Sequence, residues 1–276
     1  MPTFVLQSIL TLLLALGTAH AASPAAVVDN IGGQRIESLT IRHPDAKAVV
    51  VLEAGSRGTI ASWGTVPVAV ARDATLFAWN RPGYGNSAQA ATPRDGRTIV
   101  EELRRVLRHK GLQPPYVLVG HSLGGLYMQL FARAYPDEVR GLVLVDALYP
   151  RTVKKSADFP LATRIAGRLA FSRTAWAEIE GIDETGEAVL ALGGIDDKPI
   201  VRLVNVPQGG TAIPVDFGAF RMDAATRDFV RGLYPHAKTV VVDASHQMQL
   251  THPEVVVKAV QDVLKTAGLT MSPLNF

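Results

Sequence analysis

The chain has 276 residues, 47% apolar and 19% charged; that length suits one domain, and that apolar share builds a core and excludes a disordered chain. Its formal net charge of +3 comes from 28 basic and 25 acidic residues with no run of five basic ones, so no nucleic-acid partner is expected. Cysteine is absent, which excludes disulfides, a thiolate nucleophile and Cys-ligated metals.

In chain order, residues 4–17 form an apolar run rich in Leu and Ile, and Ala19-His20-Ala21 follows with small residues at the two positions a signal peptidase reads. The pattern predicts a signal peptide over 1–21 and a mature domain over 22–276 that is exported, to the periplasm or secreted. The n-region holds no Lys or Arg. The alternative is an uncleaved anchor, for which the run falls short of the ~20 residues of a bilayer span. No later stretch is long and apolar enough to span, so no stable membrane span is expected once the signal is cleaved.

Strands are predicted over 35–42, 48–52, 75–79, 116–119, 141–145, 200–206 and 238–242. The second, Ala48-Val49-Val50-Val51-Leu52, is a continuous apolar run, as suits a parallel strand buried on both faces. Helical spacing over 98–110 puts Ile99, Leu103, Val106 and Leu107 on one face, and two more helices are predicted over 123–135 and 253–267. Pro253 suits the first turn of the last helix, and Gly268 its end. Strands alternating with helices predict an α/β class with a mostly parallel sheet and helices on both faces. Residues 148–198 interrupt the alternation with helix-like sequence, whose length favours a helical cap insertion over one end of the sheet rather than an ordinary pair of crossover helices.

The chemistry centres on Gly120-His121-Ser122-Leu123-Gly124, which fits G-x-S-x-G between a strand run and a helix run. In that setting Ser122 sits on a sharp turn, its hydroxyl held out at the C-terminal edge of the sheet beside the free N–H groups of a helix N-terminus. A serine hydroxyl needs a base. His246 follows the strand run 238–242 by a short loop and so also falls at a strand's C-terminal edge. His252 directly precedes a helix, His121 lies inside the turn and is read as structural, and His43, His109 and His236 have no strand-edge setting.

These features, with Arg81-Pro82-Gly83-Tyr84-Gly85-Asn86-Ser87 and the ending Ser245-His246-Gln247-Met248-Gln249-Leu250-Thr251-His252-Pro253, resemble the α/β-hydrolase superfamily, most closely its small esterase-like serine hydrolase branch. The resemblance runs from about Ile36 to Leu269. It implies an eight-stranded, mainly parallel sheet, a cap after the sixth strand and a triad in the chain order Ser, acid, His. It implies that the base stands seven residues before the Pro opening the last helix, as His246 does. It also implies an oxyanion hole formed by two backbone N–H groups, those of Leu123 and of Ser56 in the loop Glu53-Ala54-Gly55-Ser56-Arg57-Gly58. Relatives often carry Asp at the position of Asn80, which is usually structural.

The acid is less defined. Asp146 ends a buried strand run, where an unpaired carboxylate would be costly and a His N–H would serve as partner. Asp216 lies beyond Pro207-Gln208-Gly209-Gly210, where the acid is often placed, and Asp223 and Asp243 stay open. Asp146 is preferred. The sequence contains no metal-ligand motif, phosphate loop or dinucleotide fingerprint, so neither cofactor nor metal is expected. The expected activity is carboxylesterase-like cleavage of a small, mostly uncharged ester. An amidase, an acyltransferase, a C–C bond hydrolase and a catalytically silent ligand binder are the alternatives. The sequence leaves the oligomeric state open.

Overall fold

The computed structural model describes residues 24–205 and 224–271. The signal sequence expected over 1–21, the segment 207–210 and the candidate acids Asp216 and Asp223 lie outside the described residues.

Eight strands form one sheet: β1 (Val27–Ile31), β2 (Gln34–Ile41), β3 (Val49–Glu53), β4 (Thr75–Trp79), β5 (Tyr116–His121), β6 (Val139–Val145), β7 (Ile200–Asn205) and β8 (Lys238–Val242). Their spatial order is β1-β2-β4-β3-β5-β6-β7-β8. The pairs β1–β2 and β2–β4 are antiparallel, and every other pair is parallel. The sheet is therefore the eight-stranded, mostly parallel one that the sequence predicts.

All five residues of β3, Val49-Val50-Val51-Leu52-Glu53, are buried. Successive side chains point to opposite faces, and each face has its own core. Val49 and Val51 join Leu118, Leu103, Leu107 and Phe131 on one side. Val50 and Leu52 join Val117, Val119, Val256 and Val260 on the other. The first core lies under α2 (Gly96–His109) and α3 (Leu123–Ala134), the second under α1 (Val66–Val70) and α9 (Pro253–Thr266). Helix α2 starts two residues earlier than its apolar spacing indicates, because Asp95 accepts a hydrogen bond from Thr98 N–H at 3.0 Å and caps it.

Between β6 and β7 the chain makes a 3-10 turn and then α4 (Leu161–Ala170), α5 (Arg173–Glu180) and α6 (Ile182–Leu190). Helix α6 packs on α2 and α3 as part of the body of the molecule, while α4 buries only Gly167, against the Trp176 ring. After β7 come α7 (Ala224–Leu233), β8, the short α8 (Met248–Thr251) and α9. No helix among the described residues is long and apolar enough to cross a membrane.

Strand β1 and helices α1, α7 and α8 were not expected from sequence. Val27 and Val28 of β1 are exposed, so this edge strand has no apolar run to announce it. Helices α1 and α8 have five and four residues, too short for a periodic signal.

Candidate active site

Strands β5 and β6 run in register, with Gly120 beside Leu144 and His121 beside Val145. One residue further on, each chain leaves the sheet at the same end, at Ser122 and at Asp146. Ser122 has φ 51° and ψ −122°, and Asp146 has φ 40°. Both are strained left-handed positions for non-glycine residues. The Ser122 turn is held on three sides. Its N–H donates to Val145 O at 3.1 Å, and its carbonyl accepts from Gly125 N–H at 3.0 Å and Leu148 N–H at 2.9 Å.

Strand β7 holds Asp146 in place. Asp146 N–H donates to Leu203 O at 2.8 Å, and Asn205 N–H donates to Asp146 Oδ1 at 3.3 Å. The other carboxylate oxygen, Oδ2, lies 2.6 Å from His246 Nδ1. With Nδ1–H donating to Asp146, Nε2 is the nitrogen left as an acceptor. The His246 and Asp146 side chains are 28% and 23% exposed, which leaves the pair reachable from solvent.

His121 fastens His246 from behind. Its Nε2 lies 2.8 Å from the His246 carbonyl, which only accepts, so Nε2 carries the proton; the two rings are 4.7 Å apart. Burial, and then the neighbouring His246, push the His121 pKa down to about 4, so this imidazole is neutral at pH 7.

The loop after β3 closes the other side. A Cβ built on Gly55 would meet the Ser122 Cβ at 3.0 Å, so glycine permits this approach. Neither Ser56 N–H nor Leu123 N–H has an acceptor among the described residues. The Ser56 hydroxyl is buried and has no partner among the described residues. The Ser122 hydroxyl is likewise unpaired among the described residues. A hollow of about 450 Å³ opens beside Asp146, lined by Tyr149, Thr152, Arg202 and Val230 among others. A second hollow of about 370 Å³, between β8 and α9, includes none of these residues.

Of the candidates named from sequence, Asp146 and His246 meet, and Ser122, Leu123 and Ser56 stand at the same sheet end. Asp243 is exposed and His252 bonds Thr251 Oγ1 at 3.0 Å, so neither joins the pair. Asn80 is held by Glu37 at 2.5 Å and accepts from Ile60 N–H at 2.7 Å, a purely structural setting. Sequence reasoning used Arg81 only as part of a motif and passed over Glu178, its partner; both are buried directly behind the 53–58 loop.

The chain matches the model of the alpha/beta hydrolase fold family over residues 48–178. An uncharacterized protein of Schizosaccharomyces pombe is 37% identical over 87 residues, 32% of this chain and 16% of that protein. A (lyso)-N-acylphosphatidylethanolamine lipase of Homo sapiens is 32% identical over 104 residues, 35% of this chain and 29% of the lipase. The matched stretches of the curated relatives span half or less of their own lengths, from 16% to 50%. Among solved structures, a haloalkane dehalogenase from Bradyrhizobium elkani superposes with a TM-score of 0.68 at 15% identity, covering 89% of this chain and 99% of the dehalogenase. With a family model matching residues 48–178 and a sheet of the same arrangement along nearly all its length, the chain has the α/β-hydrolase fold.

Proposed function

We propose that this chain is a carboxylesterase-like serine hydrolase that cleaves a small, mostly uncharged ester, and that it works outside the cytoplasm after removal of residues 1–21. The observation that carries the reading is the 2.6 Å contact between Asp146 and His246 Nδ1, one strand over from the strained Ser122 turn. In this reading it supplies a base already oriented by its acid, at the same sheet end as the N-terminus of α3.

In this reading Ser122 Oγ attacks the ester carbonyl while His246 Nε2 takes its proton. The carbonyl π pair moves onto oxygen, and the N–H groups of Leu123 and Ser56 receive the oxyanion. As the C–O bond to the alcohol breaks, His246 returns the proton to the departing oxygen. Water then attacks the acyl-enzyme, with His246 again the base, and frees the acid and Ser122. Asp146 holds the Nδ1–H tautomer and steadies the imidazolium. Dehalogenase and epoxide hydrolase chemistry is disfavoured, since the dehalogenases and epoxide hydrolases of this superfamily carry Asp where this chain has Ser122.

The test is a panel of p-nitrophenyl esters and amides of graded acyl length, run on the wild type, Ser122→Ala, Asp146→Asn and Asp216→Asn. Turnover of short esters is expected in the wild type, with background rates for Ser122→Ala. Asp146→Asn is expected to lose about a thousandfold or more in kcat. Full activity in Asp146→Asn together with loss in Asp216→Asn moves the acid to Asp216. A wild type inert toward the whole panel leaves a ligand-binding member of the fold.

A further inference from the structure

Arg81 is 2% exposed, and its partners Glu53 and Glu178 are wholly buried. Its guanidinium has five N–H donors, and all five are used. Nε donates to Glu178 Oε1 at 2.9 Å. Nη1 donates to Glu53 Oε1 at 2.5 Å and to Ala54 O at 2.7 Å. Nη2 donates to Gly55 O and to Glu178 Oε2, each at 2.9 Å. The Tyr84 and Tyr127 rings lie 4.9 and 5.5 Å from its central carbon. The carboxylates are tied down as well: Trp79 Nε1–H donates to Glu53 at 2.7 Å and Tyr84 O–H to Glu178 at 2.8 Å.

Burying such ions is expensive, and apolar residues of similar volume often serve stability as well or better. What apolar residues cannot supply is direction. Gly55 C=O and Ser56 N–H belong to one planar trans peptide and point opposite ways. An arginine that holds Gly55 O therefore turns Ser56 N–H away from itself. Glu178 belongs to α5, in the helical segment inserted between β6 and β7. Helix α5 is seated on the same turn by a second contact, since a Cβ on Gly83 would meet Thr174 Oγ1 at 2.3 Å.

Resting on the hydrolase reading above, we propose that Arg81 is a positioning residue for the oxyanion site, transmitting the seating of α5 through Glu178 to the Gly55–Ser56 peptide. Arg81 touches no reacting atom. It fixes the angle of a donor that must be in place before charge develops on the substrate.

Two full-length variants test this. Arg81→Lys keeps the charge without the planar fork, and Glu178→Gln keeps the shape of the partner without its charge. Each is melted to fix its Tm, then assayed well below that temperature with a short p-nitrophenyl ester. Each is also titrated with an alkyl boronic acid, whose tetrahedral serine adduct places an oxygen in the oxyanion site. Arg81→Lys is expected to lower kcat roughly 30- to 100-fold, the scale of a misplaced reacting group, with KM within about twofold. Glu178→Gln is expected to lower kcat about three- to tenfold in the same pattern. Affinity for the boronic acid should weaken in parallel in both. If Arg81→Lys does not fold, Glu178→Gln decides. A lower Tm with unchanged kcat and boronic acid affinity makes the cluster a structural strut and overturns the proposal. A raised KM at unchanged kcat overturns it too, and assigns α5 to substrate binding. A wild type that turns over no ester and binds no boronic acid defeats the hydrolase reading itself, and the proposal with it.

Discussion

His121 stands one residue before Ser122, and its contribution is visible only through its neighbour. It donates from Nε2 to the backbone carbonyl of His246 and is neutral because burial holds its pKa near 4. An unfolded chain titrates this group at its ordinary value of 6.5. Between pH 6.5 and 4 the unfolded state therefore binds a proton that the folded state refuses, and stability falls as pH is lowered through that window. The full loss is roughly 3 kcal/mol for this one group. Urea unfolding at pH 7, 5.5 and 4.5 should show the loss in the wild type. It should show a shallower fall in His121→Gln, whose amide still donates to the carbonyl but takes up no proton. Equal slopes in the two proteins would assign the acid sensitivity elsewhere. The sequence exposed the two ends of this arrangement, Ser122 and His246, through their strand-edge settings. It gave no sign that His121 meets the His246 backbone, a contact across 125 residues.

At the scale of elements, the site depends on how closely α3 approaches β3. A Cβ on Gly124 would meet Glu53 O at 2.2 Å and Ala54 O at 2.5 Å, both backbone atoms that cannot rotate aside. Gly124→Ala must therefore push the helix off the loop that carries Ser56. It is expected to destabilise the fold by about 1–3 kcal/mol, as overpacking does, and, on the proposed function, to reduce ester turnover at least tenfold by moving the Ser56 N–H away from Leu123. Calorimetry and steady-state kinetics check the two effects; a variant with wild-type Tm and kcat would show that this close approach is not needed. Buried strands such as β3, β4 and β5 were readable because both their faces are covered and their sequences are correspondingly apolar. The pairing of Arg81 with Glu178 was not. It joins residues 97 apart, and nothing in the local pattern of either segment marks a charge as buried.

Across the whole molecule, four loops at the C-terminal ends of strands carry the site. They follow β3, β5, β6 and β8, and they bring Ser56, Ser122, Asp146 and His246 to one end of the sheet, where open α/β folds bind ligands. The sequence could point to Ser122, Asp146 and His246 because each lies at or shortly after the end of a recognisable strand, whereas Ser56 is implied only by the family resemblance. Asp146 is preferred from sequence, and the sheet order adds its neighbourhood. Only when β6 lies beside β5, and β7 and β8 beyond it, does Asp146 fall between the serine turn and the His246 loop. The most direct measurement of the whole account is stoichiometric labelling with a fluorophosphonate, read by intact mass and peptide mapping. One adduct per folded chain is expected, on Ser122, absent in Ser122→Ala and strongly slowed in His246→Gln. Inertness of the folded wild type, or labelling that survives in Ser122→Ala, would contradict it.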